Sequence, residues 1–266
     1  MNKQLLKRFI IPFINLLGII IIILFYLLDS LVNTIFKKWL FFIFIIVAII
    51  LIVVQVLLYF YKKENIEKKV KNINEYIQIA LFAVIAVEIL FSFIMFPATV
   101  NQTSMLPTLF PNDDLIVVRT HDLDNNDIVV FRYDETIQKA NIGIENNELL
   151  IKRVIAKPGQ TINYVGNKLY INGIESKDDF AVKELDGLDL YDLAVINGMD
   201  DECLQDDGSY VLPEGWYVVF GDNRQYINGG VHPVSIDSRS FGLVHESQIY
   251  GRVDYIMNSI FDWDKI

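Results

Sequence analysis

The sequence predicts three N-terminal transmembrane α-helices followed by a mostly-β extracytoplasmic domain carrying an inserted acidic loop or subdomain. Three observations lead there. Three long apolar stretches crowd the first 97 residues, the charge changes sign at the same boundary, and beyond it short β-branched runs alternate with Asp, Asn, Gly and Pro.

The apolar stretches run from Phe9 to Leu28 (20 residues), Trp39 to Tyr61 (23) and Ile77 to Phe96 (20). About 20 apolar residues at ~1.5 Å rise each span a hydrocarbon core of about 30 Å. The first stretch, 9–28, follows Lys3, Lys7 and Arg8 as a secretory signal would. It is longer than a signal core, however, and Tyr26-Leu27-Leu28-Asp29 offers no small-residue cleavage site, so it reads as a retained span. Five lysines (62, 63, 68, 69 and 71) separate the spans at 39–61 and 77–96, whereas only Lys37 and Lys38 separate the first two. Cytoplasmic loops carry the excess of Lys and Arg. The N-terminus is therefore expected inside the plasma membrane and everything after Pro97 outside, giving a membrane anchor over 1–97 and an outer domain over 98–266. Glu88 falls within the third span, where an ionisable group is expensive and faces the helix bundle; packing between helices is the reading preferred.

Residues 1–97 carry ten Lys/Arg against five Asp/Glu, and residues 98–266 carry thirteen against twenty-eight. A domain with a net charge of −15 is unsuited to binding phosphate backbones, so no nucleic-acid partner is expected. A single cysteine, Cys203, excludes an intrachain disulfide and a cysteine-based metal cluster. With only His121, His232 and His245 besides, neither a metal nor another cofactor is expected.

In the outer domain, Leu115–Val118, Ile128–Phe131, Leu149–Ile155 and Tyr217–Phe220 are short apolar runs between turn signals and read as strands, several buried on both faces. Asn172-Gly173, following Leu169-Tyr170-Ile171, is a hairpin turn signal. No long amphipathic helix competes. The stretch at about 177–209 breaks the pattern with Asp200-Asp201-Glu202 and Asp206-Asp207-Gly208, and reads as an insert rather than core.

Ser104 lies in Asn101-Gln102-Thr103-Ser104-Met105-Leu106-Pro107-Thr108-Leu109, seven residues past Pro97 and so close to the expected membrane surface. A serine hydroxyl is a poor nucleophile until a neighbouring base takes its proton. The sequence has no Gly-x-Ser-x-Gly elbow, and its histidines fall in polar loops or at a strand end. Lysine can serve instead if its ammonium is destabilised, because apolar burial lowers a lysine pKa by several units. Lys152 is flanked by Leu149, Leu150, Ile151, Val154 and Ile155. Bringing it to about 7 would cost roughly 4 to 5 kcal/mol of charged-state stability, which a packed core can carry. By itself, such a lysine reads far more readily as a solvated strand-edge residue.

Four blocks in order make the pair specific. They are Ser104-Met105-Leu106-Pro107-Thr108-Leu109, Asn126-Asp127-Ile128-Val129-Val130-Phe131, Lys152-Arg153-Val154-Ile155-Ala156-Lys157-Pro158-Gly159, and Gly221-Asp222-Asn223-Arg224 with Ser235-Ile236-Asp237-Ser238-Arg239 following. On these residues the chain resembles the type I signal peptidases, membrane-anchored serine proteases that remove signal peptides from exported proteins. The resemblance implies Ser104 as nucleophile, Lys152 as general base and Ser235 as the serine that orients the lysine. It implies Asp222 with Arg153, and Asp237 with Arg239, as braces of the site. It further implies signal peptides of exported preproteins as substrates, cut after small residues in an Ala-x-Ala pattern, with the bilayer and the secretion translocon as surroundings.

The sequence departs from the family at Asn101-Gln102, where many members carry Pro-Ser and the serine hydroxyl helps bind the oxyanion; Gln102 stands as the candidate replacement. The ten residues between Arg224 and Ser235 are more than usual, and Gln160 replaces the usual acid. Two rival readings are a non-proteolytic accessory factor in pilus assembly or secretion, and a self-cleaving Ser/Lys transcription repressor. Retention of both Ser104 and Lys152 opposes the first, and three membrane spans in place of a DNA-binding head oppose the second.

Overall fold

Pro97 sits in a strand just past the predicted third span, where it has no backbone N–H to continue a helix and biases Phe96 toward an extended conformation. The described positions from Gln78 to Ile89 are helical, a π-helical turn follows at Leu90–Ile94, and strand β1 (Met95–Thr99) begins immediately after it. The last two residues of the predicted third span, Met95 and Phe96, are therefore strand rather than helix.

The structure, a computed structural model, describes residues 90–138, 143–165, 168–176, 203–227, 232–259 and 262–266, with scattered helical positions between 17 and 89. Apart from those positions, the predicted spans at 9–28 and 39–61 lie outside the described residues, as do Glu88 and residues 177–202 of the insert. Among the described residues, no helix is long and apolar enough to cross a membrane. The chain divides into two compact units, Met1–Phe96 and Pro97–Ile266.

The second unit is built on strands. After β1 come β2 (Asp114–Val118), β3 (Ile128–Arg132), β4 (Leu149–Ala156), β5 (Thr161–Val165), β6 (Lys168–Ile171) and β7 (Ile174–Glu175). Then follow β8 (Tyr210–Val211), β9 (Trp216–Phe220), β10 (Tyr226–Ile227), β11 (His232–Pro233), β12 (Val244–His245), β13 (Ile249–Ser259) and β14 (Asp262–Lys265). Two four-residue helices, α1 (Glu135–Gln138) and α2 (Ser238–Phe241), interrupt them. The main sheet has the order β1-β2-β13-β3-β4-β9-β12, with β14 alongside β13. Strands β7-β6-β5-β8 form a second sheet, and β10-β11 a separate ribbon.

All four apolar runs recognised in the sequence are strands. β4 is the one that matters for the site: it lies between β3 and β9 and is buried along most of its length. Its partners place Lys152 opposite Val129, and Arg153 opposite both Ile128 and Phe220. Val129, Phe131, Leu150, Val154, Tyr217, Val219 and Phe241 form one apolar core; Ile155, Ile162, Leu169, Cys203, Tyr210 and Phe220 belong to another, around the small sheet. The predicted hairpin joins β6 to β7, with Asn172 at φ 51 and Gly173 at φ 78, both positive as a type I′ turn demands. One boundary differs from expectation. Cys203 is buried in the small-sheet core, and Leu204 bridges to Tyr210, so the last part of the 177–209 stretch belongs to the domain proper. The neighbouring run of Asp residues concealed these two apolar positions.

Gly251 lies where β13 crosses from β3 toward β2. A Cβ there would collide with the Val118 carbonyl and meet Arg119 Cα at 3.1 Å, both of them backbone atoms that cannot turn aside. Gly251→Ala should lower unfolding stability by about 1–3 kcal/mol, the usual cost of overpacking, as read by urea denaturation in detergent.

Candidate active site

The segment from Val100 to Asp113 leaves the main sheet and returns to it, closed at its base by bonds from Val100 N to Asp113 O (2.9 Å) and from Asn112 N to Val100 O (2.7 Å). Within it, Met105 and Leu109 are buried and anchor a tight turn in which Leu109 N donates to Met105 O at 3.0 Å. Ser104 sits at the start of that turn, 6% exposed. Its carbonyl accepts from Asn223 N at 2.9 Å, while the Asn223 side-chain amide donates to Thr103 O at 3.1 Å. The chain can approach so closely because of Gly221. A Cβ at that position would lie 2.5 Å from Ser104 O and would collide with Ser235 Oγ.

Lys152 comes to Ser104 from the middle of β4, 2.8 Å from Nζ to Oγ, and is only 2% exposed. Its second contact is the Ile151 carbonyl, at 3.1 Å. Burial lowers the lysine pKa to about 8. The negative charges of Asp237 and Asp222 oppose that shift, and the Arg239 guanidinium assists it. At pH 7 about a tenth of the amine is therefore neutral and able to accept the Ser104 proton.

Each of the two buried carboxylates is held by an arginine. Asp222 accepts from Arg153 Nε (2.9 Å) and Nη2 (2.6 Å) and from Thr108 Oγ1 (2.5 Å). Arg153 also donates from Nη1 to Asn126 O at 2.8 Å, which ties the second sequence block to the third. Asp237 takes a two-pronged bond from Arg239 Nε (2.9 Å) and Nη2 (2.8 Å), plus the Gly221 N–H at 3.1 Å. Burial would push the Asp237 carboxyl up, but these donors outweigh it and hold the group below the usual carboxylate range. The Arg224 and Arg239 guanidinium groups lie over the Phe220 ring, at 5.4 and 5.6 Å.

The structure thus brings Ser104 to Lys152, Arg153 to Asp222, and Asp237 to Arg239. Ser235 is different. It is fully buried, but its hydroxyl faces the bare Cα of Gly221 and has no hydrogen-bond partner among the described residues. The bond to Lys152 implied by the resemblance is not made here; Ser104 Oγ and Ile151 O take its place. Gln102 is exposed beside the turn that carries Ser104. Thr108, Gly221 and Asn223 received no role in the sequence reading, although all three stand in the blocks quoted there. Among the described residues, no group of His, Cys, Asp and Glu could hold a metal ion.

Comparison with known proteins points one way. The family model for signal peptidase, peptidase S26, matches residues 73–258. Signal peptidase IB of Staphylococcus aureus is 30% identical over 189 residues, covering 70% of this chain and 89% of its own. Signal peptidase I S of Bacillus subtilis is 30% identical over 200 residues, covering 73% and 94%. A crystal structure of a signal peptidase I from Enterococcus faecalis aligns at 25% identity over 49% of this chain and 96% of that one; its TM-score of 0.30 gives the superposition no weight.

Removing one member of a buried ion pair strands the other's charge, at a cost of about 3–5 kcal/mol. Asp222→Asn, which keeps the shape and loses the charge opposite Arg153, should lower stability by about 3 kcal/mol on that basis, read from the urea midpoint at constant m-value.

Proposed function

Because this chain belongs to the peptidase S26 family of signal peptidases, we propose that it removes N-terminal signal peptides from exported preproteins as a membrane-bound serine endopeptidase. The observation that carries the reading is the 2.8 Å contact between a buried lysine amine and a buried serine hydroxyl, on the residues where the family's blocks fall.

In the proposed mechanism, neutral Lys152 accepts the proton of Ser104 Oγ as that oxygen attacks the scissile carbonyl. The carbonyl oxygen becomes an oxyanion, for which the Ser104 N–H is the first donor and Gln102 the second. Collapse of the intermediate expels the new N-terminal amine, which takes the proton back from Lys152 and leaves an acyl-Ser104. A water molecule deprotonated by Lys152 then releases the signal peptide. Ser235 is assigned the orienting of Lys152 once Ser104 is acylated and its hydroxyl is gone. Asp222 with Arg153, and Asp237 with Arg239, support the site without touching the reacting atoms.

The substrate is an extended chain with small residues at the first and third positions before the cleaved bond. It pairs with a strand edge near Ser104 and places alternate side chains in shallow pockets. The proposed topology has spans at 9–28, 39–61 and 77–94, the last ending where the helix gives way to β1, a cytoplasmic N-terminus and the peptidase unit outside the plasma membrane, next to the bilayer and the secretion translocon. That arrangement meets a substrate still anchored by its own apolar core. An accessory factor without proteolytic activity would have no use for a desolvated lysine beside Ser104.

With full-length enzyme in detergent and a preprotein carrying an Ala-x-Ala site, Ser104→Ala and Lys152→Ala should each abolish the mature N-terminus seen by mass spectrometry. Normal processing by either variant would refute the mechanism. Only the neutral amine is active, so kcat/KM should rise about tenfold per pH unit up to about 8 and level off above it. Lys152→Arg, whose guanidinium stays charged, should be inactive across that range.

A further inference from the structure

We infer that Asn223 is a positioning residue that aims the oxyanion donor, the backbone N–H of Ser104; the inference rests on Ser104 being the nucleophile. Asn223 makes two bonds to consecutive carbonyls of the nucleophile turn, from its side-chain amide to Thr103 O (3.1 Å) and from its backbone N–H to Ser104 O (2.9 Å). Its Oδ1 accepts from Gln225 N at 3.4 Å, which fixes which end of the amide faces Thr103. The Thr103 carbonyl and the Ser104 N–H share one rigid peptide plane and point in opposite directions across it. Holding that carbonyl therefore sets the direction of that N–H. The backbone bond holds the next plane in the same way, leaving the two torsions of Ser104 between clamped neighbours.

The clamp is itself anchored. Asp222 is locked by Arg153 and Thr108, and the Gly221 N–H is tied to Asp237, so residues 221–223 present a stiff edge to the turn. The Thr103 carbonyl also accepts a bond within the turn, from Leu106 N at 3.2 Å. Loss of the Asn223 amide would thus loosen the plane rather than free it. When Ser104 Oγ attacks, the oxyanion forms next to the serine's own N–H, and a donor a few tenths of an ångström out of line stabilises it less.

The test uses full-length Asn223→Ala and Asn223→Asp; the second keeps the shape but cannot donate to Thr103 O. For each, kcat, KM, the pH profile and the inhibition constant of a peptide aldehyde ending in alanine are measured, the aldehyde forming a tetrahedral adduct on Ser104. Removing an oxyanion donor costs about 10²–10³ in kcat, and misaiming one should cost about 10- to 100-fold. The expected pattern is that loss in kcat, a KM within about twofold and an aldehyde inhibition constant raised by the same factor as kcat falls, with an activity midpoint still near pH 8 in Asn223→Ala, which adds no charge. Partial unfolding would raise the apparent KM by the same factor as the inhibition constant, so a KM held within about twofold separates misaiming from loss of folded enzyme. A fall in kcat with an unchanged aldehyde constant, or no fall at all, overturns the inference. Ser104→Ala run alongside separates the two readings. If it cleaves normally, the nucleophile assignment falls; if it is dead while both Asn223 variants bind the aldehyde normally, only the role of Asn223 falls.

Discussion

An ammonium group held where water cannot reach it is the constraint around which this domain is organised. Lys152 stands in the middle of a sheet, and burial brings its pKa from 10.5 to about 8. At ~1.36 kcal/mol per pKa unit, the fold bears about 3 kcal/mol to keep a charged lysine there. The unfolded chain holds that proton more tightly. The penalty is therefore fully present below about pH 8 and disappears as pH rises from there to about 10.5. Two buried carboxylates nearby would restore the proton to the amine if left alone. Each is engaged by an arginine instead, Asp237 by Arg239 and Asp222 by Arg153, so both stay satisfied without ion-pairing with Lys152.

Three consecutive residues hold the turn that carries Ser104 in three ways. Gly221 has no side chain to keep the Ser104 carbonyl away, Asp222 receives Thr108 from the far end of the turn, and Asn223 grips the Thr103 and Ser104 carbonyls at its start. A turn held at both ends keeps Ser104 Oγ at one distance from an amine carried by a different strand. Such fixed geometry is what lets a positioned group act without first paying for its own ordering.

Much of this was legible in the chain. The strands announced themselves because apolar runs between turn residues are specific when the strands are buried on both faces, and Asn172-Gly173 marked its hairpin by chemistry alone. Ser104 and Lys152 were readable through the blocks around them, and so were the partners of the two arginines. Side-chain direction was not readable. Ser235 stands in the right block, yet its hydroxyl turns toward Gly221, a choice made by three-dimensional packing that no spacing encodes. Asn223 was passed over because its work is done through backbone carbonyls, which leave no residue-type signal at Thr103 or Ser104. Cys203 was hidden by the acidic residues on either side, since composition averaged over a stretch cannot single out one buried position.

Consecutive residues of a strand point to opposite faces. Lys152 and Arg153 are neighbours on β4, and the fold gives them opposite requirements: one must be able to lose its proton, the other never does. A slip of β4 by a single residue would set either Arg153, a permanent cation, or the apolar Ile151 against Ser104, and would take Arg153 away from Asp222. The alignment of this strand with β3 and β9 is thus a chemical specification as much as a structural one. A misaligned sheet could bury nearly the same apolar surface and still hold no base at all.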